Sequence, residues 1–162
     1  MKKNIFQLIA FMMFIILQSA CSQSPQEEKA GLKWISFEDA VAKSEKSPRK
    51  LLIDVYTEWC GWCKRMDQST YKDTALIAYI NKNYYPVKLD AETKDTIIFR
   101  NNKFVFRPEY KANELALSLL GGKMGYPTLV FLDERMNIIS VNPGYQDADG
   151  LLGILRSQEN NK

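Results

Sequence analysis

Apolar and polar positions divide the chain into a lead-in followed by alternating helical and extended segments. Residues 5–17 are apolar except for Gln7, follow Lys2 and Lys3, and give way to Ser19 and Ala20 ahead of Cys21. A membrane-spanning helix needs about 20 apolar residues, whereas an apolar run of roughly 7 to 15 between a basic start and small residues is the pattern of a signal peptide. Residues 1–20 therefore read as a signal peptide, with a short permanent N-terminal anchor as the alternative. Residues 22–31 are polar, carry Pro25, Glu27 and Glu28, and have almost nothing to bury, which suits a solvated tether. The folded unit is expected over 32–162.

Within that unit, Ser36-Phe37-Glu38-Asp39 has the form of a capping box and opens an amphipathic helix to about Glu45, which Ser47-Pro48 breaks. Residues 51–57 (L-L-I-D-V-Y-T) are apolar and β-rich apart from Asp54, the pattern of a strand covered on both faces. Residues 58–62 make a turn into a helix that carries Cys63, Lys64 and Met66. Asp73 caps a helix over 74–81, and 85–90 (Y-P-V-K-L-D) is the next strand. Residues 97–99 and 104–106 flank Arg100-Asn101-Asn102-Lys103 and predict a hairpin; 113–120 predict a helix stopped by Gly121-Gly122. Residues 128–132 and 138–141 predict an antiparallel pair, and Asp147 or Asp149 starts a closing helix through Arg156. No internal repeat interrupts this order. Strands alternating with helices imply an α/β sheet with helices on both faces.

Composition narrows the function. A length of 162 residues with 46% apolar, 25% charged and 12% aromatic positions describes one globular domain with attachments. Lys and Arg exceed Asp and Glu by 22 to 19, and loss of Lys2 and Lys3 with a signal peptide leaves 20 against 19. That balance is too near neutral for nucleic-acid binding through a basic face. There is no histidine, which excludes Ser-His-Asp and Cys-His catalysis, His-ligated zinc and c-type haem attachment. The three cysteines are too few for a disulfide-stapled scaffold.

Two of them carry the chemistry. In Trp59-Cys60-Gly61-Trp62-Cys63-Lys64, a pair separated by two residues can close a small disulfide ring at the start of a helix. The first sulfur there faces unpaired backbone N–H groups and the positive end of the helix dipole. Cys60 should ionise more readily than a free thiol; Lys64 and Arg65 add to that field and Glu58 opposes it. Cys63, one turn further in, would act second. Competing readings are a structural zinc site completed by a second chain, an inert structural disulfide, and buried thiols of no function. Zinc wants four ligands, and a four-residue loop gains little closure entropy, so reversible thiol chemistry is the favoured reading. Asp54, buried in an apolar strand, should have a raised pKa and exchange a proton near neutrality; the alternative is a solvent-facing or hydrogen-bonded acid.

The segments L-I-D-V-Y-T-E-W-C-G-W-C-K, V-K-L-D and G-Y-P-T-L-V-F together resemble the thioredoxin family over about residues 51–144. The resemblance implies the thioredoxin fold: a central mixed β-sheet flanked by helices, with the dithiol at the first helix after a parallel strand and a cis proline beside it. On this resemblance Cys60 is the attacking cysteine and Cys63 the resolving one, together the redox disulfide. Asp54 is the buried acid that assists proton transfer at the second sulfur, and Lys88 the lysine on the next strand that pairs with it. Pro127 is the cis proline, Tyr126 offers its backbone to an extended substrate segment, and Gly144 lines the same groove. Trp59, Gly61 and Trp62 complete a flat rim suited to a peptide. The placement of Cys21 directly after Ser19-Ala20 resembles the lipobox of bacterial lipoproteins, although Leu17 lies four residues before the cysteine where that pattern has leucine three before, a position held by Gln18.

Two departures qualify the resemblance. The central dipeptide is Gly61-Trp62 where thioredoxin proper has Gly-Pro, so a reduction potential does not carry over, and tryptophan there resembles secreted and periplasmic members. The span from Asp90 to Tyr126 is about 20 residues longer than in the minimal fold, and this insert, within 91–123, is expected either to restrict docking or simply to stabilise the sheet edge. The combined expectation is a cell-envelope protein, lipidated through Cys21 or else secreted to the periplasm, that reduces protein disulfides by exchange. It implies no organic cofactor, no metal and no nucleic acid, and a monomer supplied by a membrane thiol reductase. Alternatives are a disulfide oxidase or isomerase, and a noncatalytic binding lipoprotein on the same scaffold.

Overall fold

The computed structural model describes residues 31–158. The signal peptide expected over 1–20, Cys21 and its tether as far as residue 30 lie outside the described residues. Strand β1 (Lys50–Tyr56) occupies the middle of a four-stranded sheet, paired parallel to β2 (Tyr84–Asp90) and antiparallel to β7 (Thr128–Leu132), which pairs in turn with β8 (Ile138–Pro143). The sheet is mixed, as the thioredoxin resemblance implies. Five consecutive residues of β1, from Leu51 to Val55, are buried, which is what a strand covered on both faces requires.

Side-chain alternation along β1 sorts the core into two layers. Leu51, Ile53 and Val55 join Val87, Leu89, Val130 and Leu132 against helix α1 (Phe37–Lys46) and the later α4 (Glu114–Leu119). Leu52 points the other way, toward a layer built from Met66 of α2 (Gly61–Gln68), Leu76 and Ile80 of α3 (Thr74–Asn83), and Leu151 and Leu155 of α5 (Ala148–Ser157). Asp54 shares the parity of Leu52, so it faces α2. The helices begin where side-chain caps absorb orphan N–H groups: Ser36 Oγ accepts from Asp39 N at 3.1 Å, Asp73 Oδ1 from Leu76 N at 2.7 Å and Asp147 Oδ1 from Gly150 N at 2.8 Å. Asp147, not Asp149, is thus the cap of the closing helix. Among the described residues no helix is long and apolar enough to cross a membrane.

The insert contains hairpin β3 (Ile97–Phe99) and β4 (Asn102–Phe104), a second small ladder of β5 (Phe106–Arg107) and β6 (Ala112–Asn113), and α4. The hairpin differs from the sequence expectation. Its loop is two residues, Arg100 and Asn101, both at positive φ (50° and 63°), and pairing runs Ile97 to Phe104 and Phe99 to Asn102. A two-residue loop of that geometry matches the twist of the strands, and asparagine tolerates the left-handed region. Phe106, expected in the returning strand, consequently belongs to β5. Buried Asn113 ties the insert together by donating to the carbonyls of Asp95 (3.1 Å) and Phe104 (3.4 Å) while its Oδ1 accepts from Leu115 N (3.0 Å).

Candidate active site

The chain leaves β1 at Tyr56 and turns tightly, with Cys60 N donating to Thr57 O at 3.1 Å. Cys60 is the N-cap of α2: its backbone is extended and its Sγ accepts from Cys63 N at 3.1 Å. One orphan N–H of the helix start is thereby spent on the Cys60 sulfur, and that N–H and the helix dipole both favour negative charge at this position. Cys60 and Cys63 are joined in a disulfide with Cα atoms 5.3 Å apart. Their residues are only 4% and 1% exposed, so reaction requires a partner that seats closely. Gly61 sits between them in open space; a Cβ there would meet no atom within 4 Å.

Two indoles flank the pair, 66% and 59% exposed at Trp59 and Trp62. Trp59 stands edge-on to Tyr126, ring centroids 5.8 Å apart, and its Nε1 donates to Glu92 Oε1 at 3.1 Å. Trp62 leans on Tyr145 at 5.3 Å. The Tyr126–Pro127 peptide bond is cis. Pro127 O accepts from Gly144 N at 2.8 Å, and Gly144 has φ +95°, a conformation that favours glycine. Trp59, Gly61, Trp62, Tyr126, Pro127 and Gly144 are therefore placed around one end of the sheet.

Asp54 is fully buried and lies directly across from Lys88 in the parallel β1–β2 register. Its Oδ2 accepts from Lys88 Nζ at 2.8 Å. The other oxygen, Oδ1, has no hydrogen bond of good geometry, nor does the buried hydroxyl of Tyr71, although the phenol is near enough to favour the carboxylate. Burial drives the Asp54 pKa upward; Lys88 and Tyr71 oppose this without reversing it. Burial also pushes the Tyr71 hydroxyl well above its ordinary value, with the Asp54 charge adding to the effect. For Lys88 burial works downward, but the two carboxylates outweigh it and the net shift is upward.

Sequence reasoning missed part of this arrangement. Lys88 Nζ also donates to Asp67 Oδ1 at 2.5 Å, and it lies 5.0 to 5.2 Å from the ring centroids of Trp34, Tyr56 and Tyr71. Asp67 follows Cys63 by four residues on α2, a spacing that puts both on one helix face, and that spacing was a usable signal. The aromatic cage had none, because Trp34, Tyr56 and Tyr71 come from three separated segments. Glu92 was equally silent, being one acid in a polar turn. Among the described residues no group of three His, Cys, Asp or Glu side chains is placed to hold a metal ion.

The chain matches the family model Thioredox_DsbH, described as a protein of unknown function (DUF255), over residues 17–142. It is 30% identical over 95 residues to an uncharacterized protein of Archaeoglobus fulgidus, covering 58% of this chain and 72% of that one. It is 24% identical over 105 residues to the thiol:disulfide interchange protein DsbD of Pseudoalteromonas atlantica, covering 64% of this chain but only 15% of DsbD. Similar solved structures include a DsbH oxidoreductase (TM-score 0.58, 18% identity, 85% of this chain and 90% of that one). A putative disulphide-isomerase from Bacteroides thetaiotaomicron has TM-score 0.60 and 25% identity over 82% of this chain and 96% of its own. The chain belongs to the thioredoxin-like family represented by Thioredox_DsbH, with the thioredoxin fold and a C-x-x-C pair at Cys60 and Cys63.

Proposed function

We propose that this protein is a cell-envelope thiol-disulfide oxidoreductase that reduces disulfides in other proteins. The observation that carries the reading is the bonded Cys60–Cys63 pair at the open end of α2, on a sheet whose buried acid, Asp54, faces that helix. In the reduced protein the Cys60 thiolate attacks one sulfur of a substrate disulfide; a Cys60–substrate bond forms and the substrate's own S–S bond breaks, releasing one thiolate that takes up a proton. Cys63 then loses its proton, with Asp54 as acceptor, and its thiolate attacks Cys60 Sγ. The Cys60–Cys63 bond forms, the second substrate thiol leaves, and two electrons have passed to the substrate. Lys88 neutralises Asp54 between turnovers. Trp59, Trp62, Tyr126 and the backbone around Pro127 and Gly144 form the docking rim.

Relatedness to part of DsbD supports an envelope setting and a membrane thiol reductase as electron donor, and Cys21 as a lipid anchor after removal of 1–20 fits both. The intact mass of the mature chain reads that anchor directly: an acylated Cys21 as first residue supports it, and an unmodified N-terminus elsewhere contradicts it. Direction is tested by equilibrating the Cys60/Cys63 couple with glutathione. A reductase should lie at about −200 mV or below, whereas a value near about −120 mV would make the protein an oxidase. A second reading, isomerase, is favoured by the 25% identical putative disulphide-isomerase; recovery of scrambled ribonuclease activity without added oxidant would support it over the reductase.

A further inference from the structure

We infer that Asp67, half-exposed on the face of α2 that carries Cys63, is a positioning residue for the exchange reaction: it shares the Lys88 ammonium with Asp54 and so keeps the Asp54 carboxylate a usable proton acceptor for Cys63. The inference rests on the proposed exchange at Cys60 and Cys63. Its basis is the geometry of one ammonium group between two unlike carboxylates. Lys88 Nζ is 2.8 Å from Asp54 Oδ2, which is wholly buried, and 2.5 Å from Asp67 Oδ1, whose side chain is 44% exposed.

Charge counting shows what the second carboxylate does. With Asp67 present, the triad carries −1 when Asp54 is ionised and is neutral when Asp54 is protonated. Without Asp67 the remaining pair is neutral when Asp54 is ionised and carries +1 when it is protonated. In a weakly polarisable interior the neutral arrangement is favoured. Asp67 therefore adds to burial in favouring proton uptake by Asp54, which is the direction required when Cys63 gives up its proton. Burial is the main cause of the upward shift of Asp54, and the Asp67 charge adds to it in the same direction, in agreement with this count.

The lysine has little freedom to leave. Besides the carboxylates it is enclosed by Trp34 from the segment before α1, Tyr56 from β1 and Tyr71 from the short 3-10 turn Thr70–Lys72, all within cation–π range. The charged or titratable groups facing Asp54 are thus Lys88 from β2, Asp67 from α2 and Tyr71 from the turn, with Tyr56 facing the ammonium. When Asp67 loses its charge, Lys88 is left to neutralise Asp54 alone.

The test is Asp67→Asn in the reduced full chain, read by carboxyl carbon NMR titration, with the Asp54 signal assigned by its absence in Asp54→Asn. The expected result is a fall in the Asp54 inflection by about half a pH unit or more, together with a severalfold slower resolution of a pre-formed mixed disulfide at pH 7. Asp67→Glu, which keeps the charge, should titrate and resolve as wild type. Asp149→Asn on α5, which makes the same change in net charge elsewhere, should leave the inflection in place. A wild type that exchanges, with an Asp67→Asn inflection unmoved or raised, overturns the inference and leaves the function standing. A wild type that exchanges no disulfides overturns the function, and with it the positioning role of Asp67.

Discussion

Asp54 occupies a strand position whose neighbours are all apolar and buried, and the molecule tolerates it through a single bond to Lys88. Burial, only partly offset by Lys88 and Tyr71, raises its pKa, so the folded state holds this proton more tightly than the unfolded chain. Stability must then decline as pH rises from the unfolded value near about 4 through the raised folded value, because the unfolded state ionises first. Asp54→Asn removes that penalty and leaves Lys88 with Asp67. Thermal unfolding of the oxidised variant should show a raised midpoint at pH 8 and little change at pH 4. The same variant should resolve mixed disulfides about tenfold more slowly or worse at pH 7. A variant that is both less stable at pH 8 and unimpaired in resolution would contradict the assignment.

At the scale of elements, the insert meets the redox site through one turn. Ala91 N donates to Tyr56 O at 2.8 Å, Asn113 N to Ala91 O at 2.7 Å, and Glu92 then reaches Trp59. The insert thus holds one wall of the rim in place. An exposed hydrogen bond of this kind is worth about 0.5–1.5 kcal/mol. Glu92→Ala should accordingly raise KM for a protein disulfide by roughly two- to tenfold, with reduction of the Cys60–Cys63 bond by dithiothreitol unchanged; an unchanged KM would return the insert to a purely stabilising role. The sequence exposed most of the helices and sheet strands because their signals are local: the caps at Ser36 and Asp73, the apolar run of β1, the pairing of 128–132 with the following strand. The hairpin register was not legible, since it depends on Arg100 and Asn101 entering the left-handed region, which only the closed ladder makes worthwhile. In the site, Cys60, Cys63, Asp54 and Lys88 were legible as a pattern, whereas the Lys88 cage and the Glu92 clasp are products of tertiary packing among segments far apart in the chain.

For the whole molecule, the sheet order β2-β1-β7-β8 gathers the end of β1, the start of α2, the cis Tyr126–Pro127 bond before β7 and Gly144 after β8 at one place. The two core layers hold these elements rigid, so the sulfurs are presented on a fixed scaffold with the exposed indoles of Trp59 and Trp62 around them. The proposed function has the sulfur pair exchange covalent bonds with other proteins, beginning at Cys60. Incubating reduced Cys63→Ser and Cys60→Ser variants with a disulfide-bonded protein, and weighing the adducts under non-reducing conditions, reads that step. Cys63→Ser should accumulate a one-to-one adduct linked through Cys60, and Cys60→Ser should not. Equal trapping by both variants, or by neither, would contradict the mechanism.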